Sequence, residues 1–93
     1  NTAIKGGFVS RKEARCYQEL ALMQKAGRIA DLRTQVPFRI VINGMLVCKY
    51  ISDFTFRDGA MLVVADAKGY RTPIYRLKAK LMKAALGITI REL

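Results

Sequence analysis

The sequence predicts a mixed α/β domain of the α+β kind: a mixed sheet flanked by helices, in the order helix, three strands, helix, strand. Three observations predict it. Apolar residues recur with the 3.6-residue period of an amphipathic helix over residues 10–26 and again over 72–86. Between these segments, runs rich in β-branched and aromatic residues flank Asn43-Gly44 and Asp58-Gly59, the dipeptides of tight β-hairpins. After the second helix, Ile88 to Leu93 alternates apolar and polar residues with period two.

Taken in order, residues 1–9 carry Gly6-Gly7 and read as a flexible lead-in ending in a short strand. Ser10 is an N-cap for the first helix, and Gly27 a residue that ends it. Cys16, Tyr17, Leu20, Ala21 and Met23 share its apolar arc, with Glu13 and Gln24 near the centre of that arc. Asp31 to Thr34 reads as a short strand or its approach. Pro37, which has no N–H for a ladder, places that chain at a sheet edge or bend. Phe38–Ile42 and Met45–Phe56 are strands joined at Asn43-Gly44. Met61–Ala67 follows, and its near-continuous apolar character predicts burial on both faces and a central position. Thr72 caps the second helix, Pro73 opens it and Gly87 stops it. Its expected buried arc is Ile74, Leu77, Leu81, Ala84 and Ala85, with Tyr75 and Met82 at one margin and Lys78 inside the stripe.

Ninety-three residues are the length of one small domain, taken here as residues 1–93, and 52% hydrophobic residues give it material for a modest core. Seventeen Lys and Arg against seven Asp and Glu leave a formal charge of +10, which favours a polyanionic partner, nucleic acid or an anionic surface. No apolar run approaches the roughly 20 residues of a membrane span, so no membrane-embedded role is expected. No stretch has the features of a secretory signal, and a start at Asn1 rather than Met is the pattern of a trimmed N-terminus. With two cysteines and no histidine a zinc site lacks ligands. Cys16 and Cys48 read as buried thiols of a reducing compartment.

The residues that carry chemistry lie around the second hairpin. If Asp58-Gly59 is a two-residue turn, Asp53 faces Val64 and Ile51 faces Asp66. Asp53 and Asp66 are then diagonal neighbours on one face, with Cα atoms roughly 7–8 Å apart. Lys68, two residues after Asp66, points the same way. Two carboxylates so placed reach one hard cation, whereas a one-residue slip would put them on opposite faces. Each residue also has a plain structural explanation. Asp66 and Lys68 form a same-face ion pair, and Asp53 faces solvent at a sheet end. Ser10-Arg-Lys-Glu13 matches a capping box. Lys78 snorkels from an apolar stripe, Tyr75 is a core residue, and Arg11, Lys12, Arg15, Arg71, Arg76, Lys80 and Lys83 are a solvated surface. Against these stands the joint arrangement, since a carboxylate buried in a strand costs several kcal/mol unless paired or cation-bound.

An Asp at the end of one strand followed by acidic-x-Lys on the next resembles the PD-(D/E)XK nuclease signature: Ser52-Asp53, twelve residues, then Asp66-Ala67-Lys68. A longer match covers nearly the whole chain. Residues 10–20 (SRKEARCYQEL), 50–54 (YISDF) and 66–69 (DAKG), with Thr72-x-x-Tyr75-x-x-Lys78, resemble a family of small phage and prophage proteins of unknown function placed in that superfamily. The resemblance implies a restriction-endonuclease-like core of order αβββαβ. It implies Mg²⁺, with Mn²⁺ as a substitute, held by Asp53, Asp66 and the backbone carbonyl of Ala67. Lys68 would orient or activate water, and Glu13 would be a helix-borne acid near the metal. Arg11, Lys12, Arg71, Tyr75 and Lys78 would contact DNA. Two departures are Ser52 in place of Pro before Asp53, and Asp66 in place of the longer Glu.

The resulting expectation is a Mg²⁺-dependent DNA endonuclease of phage or prophage origin, acting in the cytoplasm of a bacterial host on branched or recombining DNA in the manner of a junction resolvase. A homodimer is the economical way to cut two strands with one site per chain, and Leu22, on the outer side of the first helix, is its only hint. No small-molecule cofactor is expected. The alternatives are a non-catalytic nucleic-acid-binding module with the same fold, and a basic structural protein whose acids are ion pairs only.

Overall fold

The computed structural model describes residues 10–93, so the lead-in expected over residues 1–9 lies outside the described residues. Helix α1 spans Arg11–Lys25, strand β1 Ala30–Ile42, β2 Met45–Asp58, β3 Met61–Asp66, helix α2 Pro73–Leu86 and strand β4 Arg91–Glu92. The element order is the one the sequence predicts, and the fold is mixed α+β, with a four-stranded sheet ordered β1-β2-β3-β4. The first three strands are antiparallel neighbours and β4 joins β3 in parallel after the α2 crossover.

Both helices start and stop where the sequence says. Ser10 Oγ accepts the Glu13 N–H at 3.0 Å and Thr72 Oγ1 the Tyr75 N–H at 3.1 Å. Gly87 takes the left-handed conformation that ends α2 (φ 70°). Only half of the expected capping box forms: the Glu13 carboxylate turns inward and accepts from Gln35 Nε2 instead. Gln24, polar at mid-arc, links α1 to β1 by accepting the Leu32 N–H at 2.8 Å.

The Asn43-Gly44 hairpin is as expected, with Ile42 opposite Met45 and both turn residues at positive φ. The second hairpin corrects the expected register. Asp58 pairs with Met61, so the turn residues are Gly59 and Ala60, and Phe54 faces Ala65. Only Gly59 has positive φ (65°), and a glycine at the first turn position is what a type II′ turn needs. The two-residue turn thus sits one position later in the chain than Asp58-Gly59 implies. The pairing sum changes by two, which preserves the face relationship.

The sheet has two packed faces. Leu20 and Ile29 pack with Phe54, Phe56, Val63 and Ala65 on the α1 side. Ile40, Tyr50 and Val64 pack with Tyr75 and Met82 on the α2 side. Strict alternation would put Tyr50 and Phe54 on one face; they lie on opposite faces, so β2 switches sides between them. The switch falls at buried Ser52 and at Asp53, opposite Gln35 of β1, itself at φ 53°. Ser52 Oγ, within reach of the Phe54 and Ala65 carbonyls at 2.8 and 3.0 Å, braces the bend.

Four other expectations change. The most buried residues of α2 are Tyr75 and Met82, whereas Ile74 and Leu77 are more than half exposed. Tyr75 sets this rotation by donating to Glu92 Oε2 at 2.9 Å and packing 6.2 Å from the Tyr50 ring. Strand β3 is buried only from Val63 onward, and the last strand makes only two ladder pairs. Cys16 and Cys48 are free but half-buried, and pack on opposite faces of the sheet. Pro37 lies on β1, an edge strand of the described sheet, the place where a strand tolerates a residue without an N–H.

Candidate metal and nucleic-acid site

One step beyond Phe54 and Ala65, the same register sets Asp53 directly opposite Asp66, not diagonal to it. There the backbone ladder gives way to side chains. The Asp53 N–H donates to Asp66 Oδ1 at 2.7 Å, and the Ala67 N–H donates to Asp53 Oδ2 at 3.0 Å. Each carboxylate therefore commits one oxygen to backbone and holds the other across a parting pair of strands. Asp66 is 1% exposed, and its Oδ2 has no hydrogen-bond partner. A buried carboxylate oxygen in that condition is costly, and a cation or a proton relieves it. Burial pushes the Asp66 carboxyl above its ordinary range, offset in part by the Asp53 amide and by Lys68.

Lys68 Nζ lies 3.9 Å from Asp66 Oδ2, beyond a direct hydrogen bond, and 4.4 Å over the centre of the Tyr75 ring. The ring face attracts the ammonium and restrains it beside Asp66. Lys12 also enters the cluster, donating from Nζ to the Lys68 carbonyl at 2.7 Å. Glu13, 2% exposed, takes its 2.8 Å hydrogen bond from Gln35. Burial, then repulsion from Asp53 and Asp66, pushes the Glu13 carboxyl up, while Gln35 pulls it down. Among the described residues no three Asp, Glu or Cys side chains converge closely enough to hold a cation by themselves. A hard cation held by two of these carboxylates would complete its shell with backbone carbonyl and water oxygens.

The expected DNA-contacting residues separate. Arg71 is bound to Glu92 through Nε and Nη2, and Tyr75 donates to that same carboxylate. Burial and the Glu92 bond push the Tyr75 phenol up, and burial is the larger cause. Arg11 is exposed at the start of α1. Lys78 is not drawn to the acids: its Nζ donates to the Lys49 carbonyl at 3.0 Å on an exposed part of β2. Sequence reasoning missed Gln35 and Glu92. A polar residue within a β-branched run was the only signal for Gln35, and Glu92 is identified only by the parallel pairing that sets it beside Asp66.

The fold and the cluster define a small basic α+β protein with an acidic pair on its two central strands, Asp66 buried at the end of β3 and Asp53 half-buried within β2. The chain belongs to the family described as "Protein of unknown function (DUF1064)", whose model matches residues 2–90. No curated protein and no solved structure matches it. No helix among the described residues is long and apolar enough to cross a membrane.

Proposed function

We propose that this protein is a Mg²⁺-dependent DNA endonuclease of the PD-(D/E)XK type, with Mn²⁺ able to substitute. The observation that carries the proposal is Asp66: buried, with Oδ2 unpartnered, directly across from Asp53 and beside Lys68, in a chain of charge +10. Asp53, Asp66 and the Ala67 carbonyl would hold the cation. When bound it would neutralise the scissile phosphate and lower the pKa of a coordinated water. Lys68 stabilises charge developing on the attacked phosphate, and the Tyr75 ring keeps its ammonium in place. Glu13 tunes the pair by repulsion, poised by Gln35. Buried Ser52 carries the bend that delivers Asp53, the task of a residue preceding the first acid. On this reading the sheet and helices are a restriction-endonuclease-like core. The protein would act in a bacterial cytoplasm on phage or prophage DNA, branched intermediates above all, and a homodimer would cut both strands.

A second reading has an observation in its favour. Because both acids accept a backbone N–H, they also serve as caps where the strands part, as they would in a nucleic-acid-binding module without turnover. Incubation with linear, nicked and four-way-junction DNA in Mg²⁺, Mn²⁺ or EDTA, beside Asp66→Asn, separates the two. The nuclease reading expects cleavage only with cation and only in the wild type. Cleavage that survives EDTA or the substitution sinks the metal mechanism, and binding without cleavage establishes the module.

A further inference from the structure

Next to the acidic pair, a cleft of about 380 Å³ is lined by Lys68, Gly69, Tyr70 and Arg71 of the loop between β3 and α2, with Arg76 of α2 and Glu92 of β4. We propose that this cleft is a subsite for one unpaired nucleotide, which directs the protein to DNA with single-stranded or branched character. Its position relative to a cut rests on the nuclease reading; the binding itself does not.

Charge makes the cleft select an anion. It presents three cationic side chains and one carboxylate, and that carboxylate is already held by Arg71 and Tyr75. The first turn of α2, which carries Thr72 at its N-cap, has no acidic residue to offset the helix's positive end. Arg76, one turn along, extends the cationic wall, so a phosphate is the fitting charged group.

Tyr70 makes the cleft select a base as well. The residue is 77% exposed beside Gly69. An exposed aromatic among arginines is the pairing that holds single-stranded nucleic acid, because a base face stacks on the ring while cations track the backbone. Bases within a duplex are covered by their neighbours above and below and offer no face to Tyr70. A flap, gap or junction does. The cleft volume, at the lower end of small-molecule sites, suits one nucleotide unit. Lys68 belongs both to this cleft and to the surroundings of Asp66, so a nucleotide seated on Tyr70 adjoins the phosphodiester at the acidic pair.

The test reads binding without turnover. Oligonucleotides carrying 2-aminopurine in a single-stranded flank, and matched continuous duplexes, are titrated with the full chain in EDTA and followed by anisotropy and base fluorescence. Tyr70→Ala is expected to weaken the flanked DNA by about 5- to 100-fold and to abolish the 2-aminopurine response, with duplex affinity changed less than about twofold. Tyr70→Phe retains both signals, and Arg76→Ala weakens the flanked DNA and makes its salt dependence shallower by about one phosphate contact. Equal losses on both DNAs, or no loss, overturn the subsite. A Tyr70 effect that persists while no cation supports cleavage leaves the subsite standing and removes the nuclease.

Discussion

Asp66 on β3 and Glu92 on β4 are neighbours in the parallel ladder, one residue type apart and held by the same stretch of sheet. Their surroundings are opposite. Glu92 accepts from Arg71 Nε at 2.8 and 3.1 Å and from Tyr75 Oη at 2.9 Å, and these bonds hold its carboxyl below the ordinary range. Asp66 is buried, keeps one oxygen unpartnered, and is pushed up by burial and further by Glu92. A saturated carboxylate holds structure in place. An unsaturated buried one carries an unfavourable free energy that binding can relieve, which is the condition expected of a site that takes a cation.

The comparison breaks first on activity. Asp66→Asn is expected to lower cation-dependent cleavage on the order of 10³-fold or more, the scale seen when one member of a catalytic group is removed. Without cation the same substitution should raise Tm at pH 7–8, because it removes a buried charge while an amide oxygen still accepts from Asp53 N–H. Glu92→Gln should do the reverse, lowering Tm and retaining cation-dependent cleavage. Equal loss of cleavage in both variants would end the division between the two acids.

Cation binding sharpens it further. A ligand that binds only the folded chain at 100 times its Kd adds about 2.7 kcal/mol, and in a domain of this size each kcal/mol moves Tm by ~4–8 °C. Scanning calorimetry with Mg²⁺ or Mn²⁺ should show such a rise for the wild type and for Glu92→Gln, and none for Asp66→Asn. A rise that survives Asp66→Asn places the cation elsewhere.

Acid and base separate the two residues again. Asp66 and Glu13 have carboxyls raised above their ordinary 3.8 and 4.5, so the folded chain binds more protons than the unfolded one just above those values. The contribution of these two groups to stability without cation is therefore greatest at lower pH and is lost as pH rises through the raised values. Glu92, lowered from 4.5, contributes above that value and loses its contribution as pH falls, a small effect because it is exposed to solvent. Denaturant melts from pH 3 to 8 in EDTA should show both limbs. Asp66→Asn flattens the upper limb, and Glu92→Gln the lower.

What the sequence shows of this site follows from which interactions are local. Helix caps at Ser10 and Thr72 and the Asn43-Gly44 turn depend on a few adjacent residues, and each forms as read. The Asp53–Asp66 relation survives a misplaced turn because the error shifts the pairing sum by an even number, leaving parity intact. What stays hidden is set by long-range geometry. The α2 rotation depends on Tyr75 finding Glu92 and Tyr50, and no helical periodicity records that. Lys78 sits in an apolar stripe whatever it bonds to, so its position alone does not separate Lys49 from a phosphate. Alternation along β2 fails at Ser52, since a face switch leaves every residue type unchanged.

Gln35 is the sharpest case of such hidden geometry, and it gives the smallest expected effect. A non-glycine residue at φ 53° within a strand costs roughly 1–2 kcal/mol, and this one faces the bend that presents Asp53. Its side chain returns part of that through the 2.8 Å bond to Glu13, since hydrogen bonds to charged groups are worth about 1.5–3 kcal/mol. Gln35→Gly relieves the backbone and removes the bond. The two effects oppose, and the net change in stability is expected to stay within about 1 kcal/mol. The Glu13 carboxyl is not compensated in this way: without the Gln35 donor its charged form loses a partner, and its titration moves further upward. Carbon-detected NMR titration of the Glu13 carboxyl reads that shift directly. An unmoved Glu13 would mean that Gln35 serves only the bend in the strand.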